Sequence, residues 1–281
     1  MRRSFELASR GLPVEMLYFD NAGDPDRAIA NADRAIAARV DLMIEYNADP
    51  EANAEIARRL AAAGVPVIAL VDPLPGAPLY GPDNLEAGRL AGRALGTFAR
   101  ETWPESQVAS VLIGDLADPS PAIIERVQGI TQGMREALPG IKLAPLDTGG
   151  QSVRADALLT RFLLSEPGRR LLIATLDDLS AVHAKNAIEL NRRQSTCVIV
   201  SQGVDHNIHG GASEKKELDP NNRGSVVLGS VAYFMDRYGY DVLELALRRL
   251  NGETLPAHTR TKHLLITATN VFREYPPFDI N

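Results

Sequence analysis

The chain has 281 residues, of which 45% are apolar and 23% are charged, and this balance is typical of a globular protein with one or two full cores rather than of a disordered chain. Its formal net charge is -6, with 30 basic residues scattered among 36 acidic ones, so no basic face for nucleic acid is indicated. The single cysteine, Cys197, lies in the apolar run CVIV and is predicted to be a buried strand thiol rather than a nucleophile.

In the first part of the chain, short apolar runs alternate with helical patterns. The predicted strands are 14–20, 40–46 and 65–72. Helices are predicted after Asp24–Pro25 and after Asp49–Pro50, because Asp caps the free amides at a helix start and Pro fits the first turn. The run at 65–72 is continuously apolar, as expected for a strand that is covered on both faces.

A proline-rich loop links the strand at 65–72 to a helix predicted at 85–100. Because proline restricts the unfolded chain, this loop is predicted to form a stiff rim. The helix carries Gly88, Gly92 and Gly96 at every fourth position, which predicts close packing against a sheet or a neighbouring helix.

The alternation restarts after a polar, proline-containing segment at 101–106. Strands are then predicted at 108–115, 141–147, 170–178, 197–203 and 224–234, a last strand at 261–270, and helices at about 121–138, at about 153–165, up to 191 and at 235–252. Segment 204–223 is polar and irregular, and the unit after it indicates that the chain crosses back to the first lobe. The fold class predicted is α/β, with two doubly wound parallel-sheet lobes rather than one eight-fold barrel.

Polar side chains, mainly carboxylates and amides, follow the predicted strands. They are Asp20, Asn21, Tyr46, Asn47, Asp72, Asp115, Asp147, Asp177, Asp178 and Gln202. Ligands collect at the carboxyl ends of strands in open parallel sheets, so these are candidate binding residues. Such groups bond in pairs to vicinal hydroxyls, which favours an uncharged polyhydroxy ligand over an anion. Taken singly, each residue is explained as well by capping of the following helix.

Motifs for other chemistries are missing from the sequence. It has no G-x-x-x-x-G-K-[ST] loop, no G-x-G-x-x-G after a strand and no G-x-S-x-G elbow. Asp205, His206 and His209 are an alternative as metal ligands, but without a further ligand set solvated histidines are favoured. Asp177 and Asp178 are neighbours on one predicted strand, so their side chains do not converge as an acid–base dyad. Neither a cofactor nor a catalytic residue is predicted.

Six segments carry a family resemblance. They are DNAGDPDRAIANADRAIAARVDLMIEYNADPEA, AAAGVPVIALVD, GPDNLEAGRLAGRAL, ERVQGITQGMREAL, TLDDLSAVHAKNAIE and GSVAYFMDRYGYDVLELALRRLNGE. In their order and spacing they resemble the sugar-binding proteins of bacterial ABC transporters. These have the type I periplasmic binding protein fold, shared with ribose-binding proteins and with the effector domains of lac-repressor-type regulators. The resemblance covers nearly the whole chain.

This resemblance implies two lobes joined by a three-strand hinge. The first lobe would comprise 1–104 with 235–252, and the second 107–230 with 256–281. It implies a monomeric periplasmic protein that captures a monosaccharide or related polyol in an interlobe cleft. The protein would deliver this carbohydrate to the permease subunits of an ABC importer, without catalysing a reaction and without binding nucleic acid.

By position, the resemblance also implies which residues contact the ligand. They are Tyr46, Asp72, Asp83, Asn84, Arg126, Asp177, Gln202, Asp205 and Tyr233. The rigid fork of Arg126 suits paired hydrogen bonds to sugar hydroxyls, and Tyr46, Tyr80 or Tyr233 would place an aromatic face against the ring. An alternative role for Arg126 is to tie its helix to the sheet edge. The family's usual Asn before Asp177 is Leu176 here, and Gln202 or Asp205 replaces a usual Asp.

The family pattern starts with a signal peptide and a first strand, whereas the sequence as given opens partway into the first helix. The first sheet is therefore expected to have an open slot. The preferred hypothesis is that the start of the gene lies further upstream, and the alternative is a degenerate or truncated form of the protein. Two other functions stay open. One is the effector domain of a transcription regulator, which would require a helix-turn-helix, and the other is a hydrolase or isomerase, which would turn a bound sugar over.

Overall fold

The computed structural model describes residues 1–103, 108–209 and 216–275. Parts of the predicted break at 101–106 and of the irregular segment 204–223, and the end of the predicted second lobe, lie outside these ranges. The helices are α1 (Arg2–Ala8), α2 (Pro25–Ala37), α3 (Pro50–Ala63), α4 (Asn84–Thr102), α5 (Pro121–Ala137), α6 (Arg154–Ser165), α7 (Asp178–Leu190), α8 (His206–His209), α9 (Tyr238–Leu250) and α10 (Val271–Glu274). The strands are β1 (Met43–Glu45), β2 (Val67–Leu70), β3 (Leu79–Pro82), β4 (Val108–Gly114), β5 (Leu143–Asp147), β6 (Arg170–Thr175), β7 (Cys197–Gly203), β8 (Val227–Ala232), β9 (His258–Thr261) and β10 (Leu264–Ile266).

The chain divides into two compact units, each built from separate stretches. Unit 1 comprises Met1–Pro82 and Phe234–Lys262, and unit 2 comprises Asp83–Tyr233 and His263–Asn281. This division places α4 in unit 2, whereas the sequence assigned it to the first lobe, and it places β9 in unit 1. The reason for the first difference is that α4 packs mainly on α5 and also contacts β6, β7 and β8, all of which belong to unit 2.

Unit 1 contains a parallel sheet in the order β1-β2-β3-β9. The predicted Asp-Pro helix starts are confirmed, since Asp24 and Asp49 accept hydrogen bonds from the first-turn amides of α2 and α3. Alternate residues of β2 enter two apolar clusters: Ile68 and Leu70 pack with residues of α1 and α9, and Ala69 packs with residues of α2 and α3. The predicted strand covered on both faces is therefore confirmed.

The predicted strand at 14–20 is wrong, because this segment has no regular secondary structure. Apart from Val14, which bonds to Leu12, none of its amides donates a backbone hydrogen bond to a described residue. A cavity of about 1530 Å³ is lined by this segment, by the edge strand β1 and by residues of α9. The prediction failed because an apolar and aromatic run suits a strand only where a neighbouring strand pairs with it.

The proline-rich loop contains a feature that the sequence did not predict. Its last residues form β3, which pairs in parallel with β2 on one side and with β9 on the other. Pro82, the last residue of β3, was a reason to expect a loop, because proline cannot donate to a sheet. Beside it, a Cβ on Gly81 would lie 3.2 Å from the Cα of Val71, so a larger residue would be in tight contact with that backbone.

Unit 2 contains a sheet in the order β10-β8-β7-β6-β4-β5. Every pair is parallel except β10 with β8, which is antiparallel. The prediction of an α/β fold is confirmed, but the second sheet is mixed rather than purely parallel. The predicted last strand at 261–270 is also wrong as a single strand, since β9 and β10 belong to different units. Cys197 begins β7 and is buried, as predicted.

Helices α4 and α5 are in backbone contact. A Cβ added to Gly88 would lie 2.0 Å from the carbonyl oxygen of Arg126, and one added to Gly92 would lie 2.0 Å from that of Ile130. Gly129 and Gly133 of α5 meet the backbone of α4 equally closely. The predicted close packing is confirmed, and its partner is a neighbouring helix.

None of the helices in the described ranges combines the length and the mean hydropathy needed to cross a lipid bilayer.

Candidate functional site

The first turn of α4 and the second turn of α5 bring two of the predicted residues together. Arg126 donates to the Oδ1 of Asn84 from Nη2 at 2.7 Å and from Nε at 3.3 Å. Its Nη1 donates to the carbonyl oxygen of Leu176 at 3.3 Å. This contact depends on the glycines of both helices, because bulkier residues would hold the two backbones apart. The guanidinium is therefore held in place at the carboxyl end of β6.

Two further predicted residues lie at the ends of the neighbouring strands β7 and β8. The hydroxyl of Tyr233 donates to the Oε1 of Gln202 at 2.5 Å. The ring of Tyr233 lies under the guanidinium of Arg126, with 4.9 Å from Cζ to the ring centroid. Asn84, Arg126, Gln202 and Tyr233 thus form one connected group, which we call the Arg126 cluster.

The amide of Gln202 is only partly satisfied. The side chain is 3% exposed, and its Nε2 has no hydrogen-bond partner among the described residues. Buried polar atoms nearly always have a partner, and one that lacks it costs about 1–3 kcal/mol. A buried donor of this kind is typical of a site that a ligand completes.

His263 joins the cluster and was missed by the sequence-based reasoning. Its ring lies 4.8 Å from that of Tyr233, its Nε2 accepts from the amide of Asp83 at 3.0 Å, and its Nδ1 lies 3.0 Å from the oxygen of Ala232. These contacts fit the tautomer with the proton on Nδ1. Burial lowers the pKa of His263, which favours the neutral ring. No motif marks this residue, because it follows a short strand from a distant part of the sequence.

Three predicted acidic residues have roles in local structure. Asp83 caps α4 through the amide of Glu86 at 3.1 Å. Asp177 caps α7 through the amide of Ser180 at 2.7 Å and also accepts from the hydroxyl of Ser152 at 3.1 Å. The carboxylate of Asp205 accepts from the amide of Asn207 at 2.8 Å. None of these bonds joins them to the side chains of the Arg126 cluster.

Asp178 is a buried carboxyl group, 1% exposed, that faces away from Asp177. Its Oδ1 accepts from the hydroxyls of Ser201 at 2.5 Å and Ser230 at 2.7 Å, and its Oδ2 accepts from the amide of Asp205 at 2.7 Å. Burial outweighs these bonds and raises the pKa of Asp178 to about 6. The group therefore ties together the ends of β7, β8 and α7.

The remaining two predicted residues, Tyr46 and Asp72, belong to unit 1. Asp72 follows Val71, whose φ is 65°, and its amide donates to the oxygen of Leu70 at 2.7 Å. This is a γ-turn with a positive φ, which is rare and strained for a β-branched residue. Burial raises the pKa of Asp72. Burial and the charge of Asp72 together raise the pKa of Tyr46, so the two side chains are close enough to interact.

The polar groups that follow β1 are linked to one another. Asn21 donates from Nδ2 to the Oε1 of Glu45 at 2.9 Å and to the oxygen of Tyr46 at 3.2 Å. Glu45 is buried, and burial raises the pKa of its carboxyl group. Glu45 was not named from the sequence, because it lies inside the predicted strand 40–46 and only residues at the strand ends were taken as candidates.

Asp205, His206 and His209 are the residues that the sequence offered as alternative metal ligands. The two imidazole rings are 5.5 Å apart, and His209 stacks on Tyr275. Within residues 1–103, 108–209 and 216–275, no group of three or more His, Cys, Asp or Glu side chains is arranged to hold a metal ion. The chemistry offered by the described site is hydrogen bonding and aromatic contact.

A comparison with models of protein families assigns the chain to one family. Residues 1–254 match the model of the periplasmic binding protein domain. A search of curated protein sequences gives no significant match.

Solved structures with the same fold are numerous. A sugar-binding protein of a sugar ABC transporter from Bacillus halodurans has a TM-score of 0.78 and 20% identity, over 98% of this chain and 94% of that one. The glucose-galactose binding protein GanP from Geobacillus stearothermophilus has a TM-score of 0.73 and 20% identity, over 96% and 91%. An ABC transporter solute-binding protein from Agrobacterium vitis with bound allitol has a TM-score of 0.75 and 17% identity, over 97% and 91%. At these identities the likeness concerns the fold, and the match over residues 1–254 shows that this chain belongs to the periplasmic binding protein family.

Proposed function

We propose that this protein is the solute-binding component of a bacterial ABC importer and that its solute is a monosaccharide or a related polyol. Family membership supports the general role. The carbohydrate ligand is supported by the compared proteins, which are described as sugar-binding or carry allitol. The partners would be the permease subunits of the importer, the location would be extracytoplasmic, and the working form would be a monomer without catalytic activity.

The observation that carries the proposal is the Arg126 cluster. It combines a fixed guanidinium, a buried amide with an unused donor and an aromatic ring at the carboxyl ends of neighbouring strands. Sugars are bound through such combinations, because their hydroxyl oxygens accept hydrogen bonds while their C–H faces pack on aromatic rings. In unit 1, we assign Tyr46 and Asp72 to the same solute, and Asp83, Asp177 and Asp205 support the site through their caps.

Ligand-induced thermal stabilisation tests the proposal. Melting of the purified chain would be followed with a panel of pentoses, hexoses, polyols and their acid derivatives. One solute present at a hundred times its dissociation constant adds about 2.7 kcal/mol to the free energy of unfolding, which is several degrees in melting temperature. A folded chain whose melting temperature responds to no member of the panel would refute the carbohydrate assignment.

A further inference from the structure

Within the residues that the structure describes, the guanidinium of Arg126 forms no ion pair. It contacts the amide oxygen of Asn84, the carbonyl oxygen of Leu176 and the ring of Tyr233, all of which are uncharged. In proteins, a half-buried arginine is usually paired with an acidic side chain, because a charge in a site of low dielectric constant needs compensation.

The guanidinium of Arg126 also has N–H groups that donate to no described residue. Arginine has five N–H groups, and the bonds to Asn84 and Leu176 use one on Nε, one on Nη2 and one on Nη1. One N–H group therefore remains on each terminal nitrogen. Arginine can bind the two oxygens of a carboxylate through parallel hydrogen bonds from two N–H groups. The unpaired Nε2 of Gln202, whose Oε1 accepts from Tyr233, supplies a further buried donor in the same cluster.

The acids of unit 2 that would have supported an uncharged ligand are otherwise engaged. Asp177 caps α7, and Asp178 accepts three hydrogen bonds, from the hydroxyls of Ser201 and Ser230 and from the amide of Asp205. Asp83 caps α4. The preference for an uncharged ligand was drawn from the carboxylates and amides at the strand ends, among them Asp177 and Asp178. The side chains of the Arg126 cluster itself are rich in donors and carry one positive charge and no negative charge.

We propose that the solute bound at the Arg126 cluster is a sugar acid, an aldonate or uronate, whose carboxylate accepts from Arg126 and Gln202. This inference rests on the proposed function and narrows its substrate class. The hydroxyl-bearing carbons of the acid would lie against Tyr233. Hydrogen bonds to a charged acceptor contribute more than those to a hydroxyl, so the acid binds about tenfold or more tightly than the matching neutral sugar, a difference of about 1.4 kcal/mol or more.

Matched ligands provide the test. Dissociation constants of the complete chain would be measured by calorimetry for glucose with gluconate and glucuronate, for galactose with galactonate and galacturonate, and for xylose with xylonate. The expected result is that at least one acid binds tenfold or more tightly than its neutral partner and that its affinity falls as salt is raised from 0.05 to 0.5 M, since salt screens a charge pair. A neutral sugar that binds as well as or better than its acids overturns this inference and leaves the proposed function in place. If no ligand of either kind binds, both fall.

Variants locate the effect on one residue. Arg126→Gln is expected to reduce the affinity for the acid at least tenfold and to change the affinity for neutral sugars less, while Arg161→Gln, an exposed arginine of α6, leaves both unchanged. Circular dichroism and the melting temperature without ligand show whether Arg126→Gln folds. If it does not, Arg126→Lys, which keeps the charge but loses the fork, replaces it and is expected to retain part of the preference for the acid. Equal loss for acids and neutral sugars in the folded variant would contradict the proposal.

Discussion

Among the residues that the structure describes, the hydroxyl of Tyr233 is the only hydrogen-bond partner of the buried side-chain amide of Gln202. Replacing Tyr233 by Phe would leave the amide buried with neither of its polar ends bonded. We therefore expect Tyr233→Phe to lower the free energy of unfolding by about 1–3 kcal/mol, measured by urea denaturation. Tyr240→Phe is the matched control, because Tyr240 is 53% exposed and its hydroxyl can bond to water. Equal, small effects of both substitutions would show that the amide is satisfied in another way.

Asp178 gives the stability a pH dependence of known sign. The pKa of Asp178 in the folded protein is about 6, above its value in an unfolded chain, so the folded state binds an additional proton between about pH 4 and 6. The contribution of this group to the free energy of unfolding is therefore present at low pH and decreases as the pH rises through this window, by about 1.4 kcal/mol per unit of pKa difference.

Asp178→Asn tests this dependence, because asparagine does not titrate. The difference in unfolding free energy between the original protein and the variant should become smaller as the pH rises from about 4 to 6. Urea denaturation at several pH values measures it, and Asp118→Asn, an exposed position of the same unit, is the control. Other groups such as Glu45 and Asp72 also have raised pKa values, so only the difference is informative. A difference that is constant over this range would contradict the assignment.

Individual residues of the site were predictable to different degrees. Arg126 and Asn84 could be named from the sequence through the family resemblance, but their mutual hydrogen bonds depend on the distance between two helices. Asp83, named as a ligand contact, also caps a helix, because capping and ligand binding favour the same residue types at the same place. His263 could not be named, since nothing in one sequence shows which loop residue lies beside Tyr233.

At the scale of elements, the glycines of α4 are required by its contact with α5. Alanine normally stabilises a helix relative to glycine by about 1 kcal/mol. At Gly92 the added Cβ would lie 2.0 Å from a backbone oxygen, so the helices must separate. Gly92→Ala is expected to lower the free energy of unfolding by about 1–3 kcal/mol or more, measured by denaturant titration.

Glycine positions with open space provide the controls for that prediction. Gly140 and Gly168 have no heavy atom within 4 Å of an added Cβ. Gly140→Ala and Gly168→Ala should therefore leave the stability unchanged or slightly increase it. If Gly92→Ala were as stable as these two variants, the close contact of α4 with α5 would not exist in solution.

Segment 14–20 allows a test by hydrogen exchange. The amides of residues 15–20 donate no backbone hydrogen bond to a described residue, whereas β2 is paired on both sides. We expect exchange at 15–20 to be faster than in Val67–Leu70 by a factor on the order of 100 or more. Mass spectrometry of peptic fragments measures both segments in one experiment. Protection of 15–20 equal to that of β2 would show that this segment pairs as a strand in solution.

Helices were predicted better than strands for a physical reason. A helix satisfies its hydrogen bonds within one segment, and caps such as Asp24–Pro25 mark its start, so sequence signals are local. A strand depends on neighbours that the sequence does not show. The segment 14–20 has the apolar and aromatic composition of a strand but no paired neighbour, and β3 has a neighbour on each side in spite of its proline.

For the whole molecule, the two-part organisation was predictable from the repeated strand-helix units, whereas the points of division were not. The structure divides the chain after Pro82, Tyr233 and Lys262. From the sequence, the first division was predicted after residue 104, because α4 follows the unit 1 strands closely in the chain. Helix α4 packs on α5 where the glycines of each helix meet the backbone of the other. These residues are far apart in the sequence, so only the structure shows the contact.

The central claim is that this chain binds one carbohydrate solute and that the Arg126 cluster contributes to the binding. The most direct test is a calorimetric titration of the complete protein with the solute that stabilises it most, alongside Arg126→Gln. We predict one site per chain, with a negative heat-capacity change from buried apolar surface, and binding at least tenfold weaker in the variant. Binding of the same strength in both proteins, or no binding of any tested carbohydrate to the folded chain, would contradict the account.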